Sequence, residues 1–406
     1  MKDLERISES PMISVTQALS FIAKNRPETG AESVPLSGAL GRRLAQDITA
    51  QLTHPPLDAS AMDGYAVQLC DIDKPGAVLS LIGEAPAGAP FLGTVGAGQA
   101  VRIFTGGAIP KGADTVIIQE NVSATSAAIT VIEPQDRARH IRRAGLDFKT
   151  GQHLLSKGAI LTPADIAVAA ASGHAHLSVI RKLQIAIISG GNELVPPSET
   201  PKIGQIVNSN PYALAALFQS WGHEADILPT AKDTLESLSR SIELAKGADV
   251  IVPVGGASVG DHDHMRAAFQ SAGLKMIFEK IAVRPGKPTW FGTLQDRCVL
   301  GLPGNPASAL VCAQLFLKPL LTGEPLKAVK AKLKNDLAAN GPRESYQRAI
   351  ITQDADGTLT VSPLPIQDSG LMTPFLIANA LLKLPPNQPS LNAGELVEVL
   401  LIKSLV

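Results

Sequence analysis

The segment Val250-Ile-Val-Pro-Val-Gly-Gly-Ala-Ser-Val-Gly-Asp-His-Asp263 decides the fold class of this chain. Its apolar, β-branched start predicts a buried strand, and it ends in glycines, a serine and carboxylates. Glycines let backbone N–H groups approach a phosphate or oxyanion at a strand-to-helix turn. Carboxylates such as those of Asp261 and Asp263 are the ligands that a hard divalent cation prefers. The segment therefore predicts an anion and metal site at the end of a buried strand.

An alternation of predicted strands and helices surrounds this segment. Strands are predicted over 183–188, 224–228 and 250–254, separated by helices over 211–221 and 235–246. Alternation at this spacing predicts a parallel sheet with right-handed crossovers. Such a sheet binds its ligands at the carboxyl ends of its strands.

Glycine-containing loops are predicted at several of those strand ends. Ser189-Gly-Gly-Asn-Glu193 follows the first strand, the segment from Gly255 follows the third, and Pro303-Gly-Asn-Pro-Ala-Ser308 follows a further strand over 298–302. Each loop alone is compatible with a tight turn. Together, with a polar side chain beside glycine in each, they predict one ligand crevice. The candidate contacts are Ser189, Glu193, Gly255, Gly256, Ser258, Pro303, Asn305, Pro306 and Ser308.

A cationic segment, Lys280-Ile-Ala-Val-Arg-Pro-Gly-Lys-Pro-Thr289, precedes the last of these loops. It is not a Walker A loop, because Ile281 stands in place of the first glycine and Pro288 follows the lysine. One interpretation is a set of solvated surface cations near a turn. The other is binding of a phosphate or oxyanion by Arg284 or Lys287, with Lys280 nearby.

The flanking regions have other patterns. The sequence from Ser14 to Lys24 predicts an amphipathic helix capped by Ser14. Short β-rich pieces over 36–143, divided by Pro/Gly turns, predict a small all-β unit. Thr162 and Pro163 open a further helix, and alternating pieces from about Leu326 predict a compact C-terminal β-barrel.

The β-rich region contains His54-Pro-Pro-Leu-Asp-Ala-Ser-Ala-Met-Asp-Gly-Tyr65, with two carboxylates. Asp63 precedes Gly64, and that pair predicts a turn. Asp58 is less easily assigned to a turn, but composition alone gives it no role.

Two further motifs of this region carry polar groups. Thr105 begins Thr-Gly-Gly-Ala, which would present a hydroxyl and glycine N–H groups to a ligand. Asp147 follows Arg142 and Arg143, and this order suits either an ion pair at a domain junction or a functional carboxylate.

Charge and composition exclude several classes of protein. Lys plus Arg (36) nearly balance Asp plus Glu (37) without a basic block, which argues against nucleic acid and anionic membrane as partners. The scattered cysteines argue against a zinc ribbon or a disulfide framework and fit a reducing compartment. The first residues lack an apolar signal core, and the apolar region 307–317 is too short to span a bilayer. We expect a cytoplasmic protein of about two to four domains.

The Gly256-Ala-Ser-Val-Gly260 sequence matches the nucleophile elbow of hydrolases. In such hydrolases the serine comes first in the chain, the acid second and the base histidine last. The last histidine here is His264, only six residues beyond Ser258. This order argues against an esterase. His262 and His264 are two positions apart, which does not match the spacing of histidine ligands in zinc sites. Asp261 and Asp263 are therefore the predicted ligands, and the predicted metal is magnesium.

These motifs, in this order, resemble the molybdopterin molybdenumtransferases, MoeA of bacteria and the E domain of gephyrin. The resemblance covers nearly the whole chain. It rests on Asp58-Ala-Ser-Ala-Met-Asp-Gly-Tyr-Ala-Val67, Thr105-Gly-Gly-Ala-Ile-Pro-Lys-Gly-Ala-Asp114, Gly255-Gly-Ala-Ser-Val-Gly-Asp-His-Asp263, Arg284-Pro-Gly-Lys-Pro288 and Pro303-Gly-Asn-Pro-Ala-Ser308.

The resemblance implies a multidomain α/β plus β fold and a homodimer whose active site is shared between subunits. The implied parts are an N-terminal helix (1–26) packing with a MogA-like α/β domain (178–323), an elongated domain (27–50 and 139–177), a β-rich insertion (51–138) and a C-terminal β-barrel (324–406). It also implies transient contact with a molybdopterin adenylyltransferase and with molybdoenzyme apoproteins or their chaperones.

The implied reaction is cleavage of adenylated molybdopterin with release of AMP and insertion of molybdate-derived molybdenum into the dithiolene, with Mg²⁺. Ser258 and the glycine loops would hold phosphate, and Lys280 and Ser308 match an oxyanion pocket for molybdate. The implied metal ligands are Asp261, Asp263 and Glu193. The implied catalytic residues are Asp58, Asp147, Glu193 and Asp261.

The chain departs from the family pattern at three positions. Leu146 stands where a glutamate is frequent, Asn192 where an aspartate is frequent in bacteria, and Lys280 where arginine is common in eukaryotic members. Three alternatives stay open: a MogA-like adenylyltransferase, a catalytically weak scaffold of the gephyrin type, and an enzyme that takes tungstate instead of molybdate.

Overall fold

A computed structural model describes residues 12–255 and 264–403. The chain divides into two compact units: Gly30–Ile180, and the flanking segments Met1–Thr29 and Arg181–Val406 taken together. None of the helices in the described ranges is long and apolar enough to cross a membrane.

The first helix, α1 (Val15–Lys24), begins where the sequence predicts it. The Ser14 hydroxyl accepts a hydrogen bond from the Gln17 backbone, and the Gln17 side chain accepts one from the Ser14 backbone, which completes a capping box. The apolar face of α1 is buried in the core of the larger unit.

The Gly30–Ile180 unit is mainly β, as the turn-rich sequence predicts. Its central sheet has six strands in the order β7-β4-β6-β5-β9-β8, and three two-stranded pairs accompany it, β1 with β12, β2 with β11, and β3 with β10. The elements are β1 (Ala31–Pro35), β2 (Ile48–Thr49), β3 (Ala59–Ser60), β4 (Gly64–Val67), β5 (Val78–Ala85), β6 (Gln99–Ile103), β7 (Thr115–Ile118), β8 (Val122–Ala124), β9 (Ala128–Val131), β10 (Ile141–Arg142), β11 (His153–Leu155), α2 (Pro163–Ala171) and β12 (His176–Ile180).

The pairing of β3 with β10 matters for the site. Ala59 lies opposite Arg142 and Ser60 opposite Ile141 in this antiparallel pair. The register therefore brings Asp58 next to Arg143, although the two residues are 85 positions apart in the sequence.

The α/β part of the larger unit contains a six-stranded sheet in the order β16-β13-β17-β21-β20-β18. Its strands and the nearby short ones are β13 (Gln184–Ser189), β14 (Leu194–Val195), β15 (Ile206–Val207), β16 (Glu224–Ile227), β17 (Val250–Val254), β18 (Lys275–Phe278), β19 (Val283–Arg284), β20 (Trp290–Leu294) and β21 (Arg297–Gly301). The helices are α3 (Asn210–Ser220), α4 (Leu235–Leu244), α5 (His264–Ser271), α6 (Pro306–Cys312) and α7 (Lys318–Thr322), the last two joined by π-helical residues Ala313–Leu317.

The predicted parallel sheet is confirmed for β16, β13, β17 and β21. Beyond β21 the sheet continues with β20 and β18, which are antiparallel to their neighbours. A short turn joins β20 to β21, with Gln295 at φ 56°. Because a turn this short cannot make a parallel crossover, β20 must run antiparallel to β21.

The predicted C-terminal β-barrel is also confirmed. Five strands pair in the cycle β23-β24-β22-β26-β25-β23, and β19 pairs with β23 on the outside. The elements are β22 (Ala328–Leu333), β23 (Glu344–Gln353), β24 (Leu359–Pro363), α8 (Pro374–Ile377), β25 (Ala380–Leu384) and β26 (Leu396–Leu401). Closure leaves no free edge among the five strands, and their inward aliphatic side chains form a core of their own.

Candidate functional site

Three predicted loops begin at the carboxyl edge of the parallel sheet. Strands β13, β17 and β21 are direct neighbours. Ser189 lies opposite Val254, and Val254 bridges to Leu302. The loops that begin at Gly190, Gly255 and Pro303 therefore leave the sheet side by side, as the sequence predicts.

The loops approach each other closely at glycine positions. Gly255 has φ +92°, a conformation that other residues rarely adopt, and a Cβ placed on it would lie 3.2 Å from the Gly190 carbonyl oxygen. A side chain at position 255 would thus be strained and crowded. Glycine adopts this conformation without either cost.

Ser189 ends β13 with a buried hydroxyl. The residue is 2 % exposed, and its Oγ has no hydrogen-bond partner within the described part of the chain. A buried hydroxyl without a partner costs folding free energy unless a ligand or water satisfies it. Ser189 is the last residue of β13, at the carboxyl edge of the sheet.

Glu193 is exposed in the same loop. A Cβ placed on Gly191 would lie 2.6 Å from Glu193 Oε2, so the carboxylate folds back over that glycine. No hydrogen bond or ion pair joins the Glu193 carboxylate to another residue of the described ranges. Its neighbour Asn192 accepts a hydrogen bond from the Asp233 N–H, at 3.2 Å through Oδ1.

Gly256, Ser258, Asp261 and Asp263 lie outside the described residues. Within 12–255 and 264–403, no group of three or more His, Cys, Asp or Glu side chains is placed to hold a metal ion. Glu193 is thus the one predicted metal ligand that the structure positions.

A cavity of about 470 Å³ lies beside the start of α6. Ser308, Arg284 and Lys287, three of the candidate anion-binding residues, all line it. Lys280 is half-buried and is not among the lining residues. The cavity is also lined by barrel residues that the motifs did not indicate: Arg343, Ser345, Tyr346, Gln347, Arg348, Gln367, Asp368 and Ser369.

The cations of this cavity differ in their partners. The side chains of Arg284 and Lys287 have no hydrogen bond or ion pair within the described residues. Arg343 donates to the Val283 carbonyl at 3.4 Å. Arg348 is 2 % exposed, and burial lowers the pKa of its guanidinium. Within the described residues, these two cations without a side-chain partner leave the cavity with positive charge available for an anion.

Arg348 organises one wall of the cavity through carbonyl groups. Its Nη1 donates to the Leu371 carbonyl at 2.7 Å and its Nη2 to the Asp368 carbonyl at 2.8 Å. The loop that it holds contacts the strand-end loop, because the Asn305 Nδ2 donates to Ser369 Oγ at 2.9 Å. Asn305 therefore serves this contact, and Pro306 occupies the first turn of α6.

The Gly30–Ile180 unit has its own cavity of about 520 Å³. Most of its walls are apolar, and Asp147, Arg142 and His54 supply the polar side chains. Leu146, which is 66 % exposed, lines the same cavity. The remaining lining residues are Pro55, Pro56, Leu57, Ala59, Gly88, Pro90, Gly106 and Ala108.

The two predicted carboxylates of this unit have different partners. Asp58 Oδ1 accepts from the Ala144 N–H at 2.8 Å, and its Oδ2 accepts from the Arg143 guanidinium. The Ala144 hydrogen bond and then the Arg143 hydrogen bond hold the pKa of Asp58 below its ordinary value. The Asp147 carboxylate has no such partner within the described residues. The backbone N–H of Asp147 donates a hydrogen bond to the His54 carbonyl at 3.1 Å.

Asp63 has a role that the sequence did not predict. Asp63 lies in the bend that leads into β4, and Gly64 is the first residue of that strand. In addition, Asp63 Oδ1 accepts hydrogen bonds from Thr105 N at 2.7 Å and from Thr105 Oγ1 at 2.9 Å. The Thr105 hydroxyl therefore donates within the protein and keeps only its lone pairs for a ligand. No local signal could reveal a pair separated by 42 positions.

Family models match the chain in three consecutive parts. Residues 13–173 match the MoeA N-terminal region (domain I and II), residues 186–323 match a "probable molybdopterin binding domain", and residues 330–402 match the MoeA C-terminal region (domain IV).

Curated relatives match over most of their length. A molybdopterin molybdenumtransferase of Haemophilus influenzae is 34% identical over 399 residues, covering 96% of this chain and 98% of the relative. One of Staphylococcus aureus is 32% identical, covering 97% and 96% respectively. Among solved structures, a molybdopterin biosynthesis MoeA protein from Pyrococcus horikoshii matches with a TM-score of 0.82 at 32% identity, covering 97% of this chain and 100% of that chain.

Proposed function

This chain belongs to the MoeA family of molybdopterin molybdenumtransferases, transferases of molybdenum cofactor biosynthesis, and from this premise we propose that it is a molybdenum insertase. It takes adenylated molybdopterin and molybdate, cleaves the phosphoanhydride with the elements of water, and releases AMP. Molybdenum then enters the dithiolene of the pterin product: two Mo–S bonds form, and one molybdate oxygen leaves as water with the two thiol protons.

The observation that carries this proposal is the cation-lined cavity. Arg284 and Lys287 are unpaired within the described residues, and Ser308 lines the same cavity. Molybdate is a small tetrahedral dianion, and it needs cationic and hydroxyl donors close together. Tungstate has the same shape and charge and is expected to compete there.

The sheet edge supplies the second anion site of the proposal. The Ser189 hydroxyl, which has no partner in the described part of the chain, and the glycine backbone at Gly255 suit the phosphates of the adenylated substrate. These groups would orient the phosphoanhydride and stabilise the charge that develops on it during cleavage.

The Glu193 carboxylate fits a magnesium ion, because it is exposed and unpaired within the described ranges and is a hard oxygen ligand. Asp261 and Asp263 would complete the set. When bound, Mg²⁺ neutralises phosphate charge and polarises the phosphoanhydride.

The carboxylates of the other unit take separate roles. Asp147, whose carboxylate has no partner within the described residues, would accept a proton or a hydrogen bond from the ligand, whereas Asp58 is ion-paired with Arg143 and orients the chain at 143–147. We further propose a homodimer that shares its active site between subunits, works in the cytoplasm, and transiently contacts a molybdopterin adenylyltransferase and molybdoenzyme apoproteins or their chaperones.

The test is AMP release from adenylated molybdopterin by the purified protein, with and without Mg²⁺ and molybdate. The proposal requires release that depends on both. Tight binding of the substrate without AMP release would instead support the gephyrin-like scaffold. Formation of adenylated molybdopterin from ATP and molybdopterin would support the adenylyltransferase.

A further inference from the structure

The cavity of the Gly30–Ile180 unit differs in chemistry from the two anion sites. Rigid apolar faces from Pro55, Pro56 and Pro90 and aliphatic groups from Ala108 and Leu146 form most of its walls. Its volume of about 520 Å³ lies in the range of roughly 300–1,000 Å³ that small-molecule sites occupy. A phosphate or molybdate would gain little from such walls, whereas a flat heterocycle would bury apolar surface on both faces.

One wall of the cavity is rigid beyond the prolines. The His54 ring stacks on Phe148 with ring centroids 5.5 Å apart and 25° between the planes. Phe148 is buried at 2 % exposure, and the Asp147 and Phe148 N–H groups both donate to the His54 carbonyl. The chain that carries Asp147 is thus fixed in place, and its carboxylate is presented by a preorganised backbone.

Asp147 offers two acceptor oxygens without any partner within the described residues. A carboxylate only accepts hydrogen bonds, so it selects a ligand edge with two adjacent donors. The 2-amino-4-oxopyrimidine edge of a pterin has such donors, the ring N3–H and the exocyclic amine. Adenine places an acceptor nitrogen beside its amine on either edge, and that nitrogen would face a carboxylate oxygen unfavourably.

We propose that this cavity binds the pterin half of the substrate, with Asp147 accepting hydrogen bonds from its N3–H and 2-amino group; this assignment rests on the proposed function. Arg142 lines the same cavity without a side-chain partner within the described residues, and it is a donor for the 4-oxo group. Leu146 then acts as an apolar wall over the heterocycle. The adenine half binds elsewhere.

Ligand-observed NMR on the full-length protein tests this assignment. The probes are 6-hydroxymethylpterin and 6-hydroxymethyllumazine, which differ only in having an amino or an oxo group at carbon 2. The wild type should bind the pterin roughly tenfold more tightly than the lumazine, because the oxo group puts an acceptor against the carboxylate. AMP should not displace the pterin. Equal affinities, or displacement by AMP, would overturn the proposal.

The Asp147→Asn variant gives the sharper result. An amide presents one acceptor and one donor, so the preference should reverse toward the lumazine. Misfolding would lower both affinities and cannot reverse a preference. Leu146→Ala should weaken both ligands alike, whereas Ile132→Ala, a truncation of a 55 % exposed residue of the same unit that does not line the cavity, should change neither. An unchanged preference in Asp147→Asn would contradict the role of Asp147.

The AMP-release assay is run in parallel to separate two failures. AMP release without selective pterin binding would reject the pterin site and would still support the proposed insertase function. Selective pterin binding without turnover would support the pterin site and reject the insertase.

Discussion

Asp63 holds Thr105 through two hydrogen bonds to a single carboxylate oxygen, from the backbone N–H at 2.7 Å and from the hydroxyl at 2.9 Å. The bond from the Thr105 N–H, followed by that from its hydroxyl, lowers the pKa of Asp63. Thr105, which opens the glycine loop, is therefore anchored by Asp63, the residue that precedes β4.

Asp63→Ala should release this loop and raise the KM for adenylated molybdopterin, with a smaller change in kcat, because Thr105 would lose its anchor. Asp63→Asn keeps an acceptor oxygen and should behave nearly as the wild type. Steady-state AMP release for the two variants makes the comparison. If Asn and Ala were equally impaired, the negative charge and not the anchoring would be what matters.

Asp58 should make stability depend on acidity. Its pKa is lowered in the folded state, chiefly by the Ala144 hydrogen bond and then by Arg143, from an ordinary value of 3.8. A carboxylate whose pKa is lower in the folded state stabilises the fold at pH values above its pKa in the unfolded chain. That contribution is lost as the pH falls through its pKa in the folded state. Asp58→Asn should therefore be less stable than the wild type near neutral pH, and the difference should shrink below about pH 4.

Urea unfolding monitored by circular dichroism at several pH values measures this difference in the free energy of unfolding. The matched control is Asp136→Asn, which removes an exposed ion pair with Arg139 (side chains 83 % and 45 % exposed). Exposed pairs of this kind contribute little to stability. A pH dependence as large for Asp136→Asn as for Asp58→Asn would count against the assignment.

Ser189→Ala should separate stability from function. The hydroxyl is buried and lacks a partner in the described part of the chain, so its removal should leave stability unchanged or raise it by up to about 1–3 kcal/mol. The same change should raise the KM for the adenylated substrate. Ser241→Ala is the control, since that buried hydroxyl donates to the Ser237 carbonyl at 3.3 Å and should cost stability but not affinity.

Arg284→Met and Lys287→Met should each raise the molybdate concentration for half-maximal AMP release, by roughly tenfold, because each removes one charge-assisted contact to the dianion. Lys330→Met, on the exposed face of β22, should have no effect. Molybdate titration of the three variants decides the matter, and an unchanged half-maximal concentration in both cavity variants would place molybdate elsewhere.

The strand-end loops could be predicted from the sequence, because each follows a run of residues with a strand pattern and contains glycine beside a polar side chain. The α/β alternation likewise predicts which loops share an edge of the sheet. The position of Arg348 and Asp368 in the wall of the cation-lined cavity could not be predicted. Both lie on barrel segments whose sequence pattern indicates only a strand or a loop. Likewise, the chain pattern gives no hint that Asp63 would contact Thr105 or that Asp58 would meet Arg143. Those pairings depend on strand register, which is set by tertiary packing.

The central claim is insertion of molybdenum, and reactivation of a cofactor-free molybdoenzyme by the product tests it most directly. The purified protein is incubated with adenylated molybdopterin, Mg²⁺ and limiting molybdate, and the mixture is added to the apoenzyme. Activity should rise in proportion to molybdate for the wild type and be absent for Asp261→Ala, whose fold should be intact. Reactivation that is independent of this protein or of molybdate, or that survives in Asp261→Ala, would contradict the account.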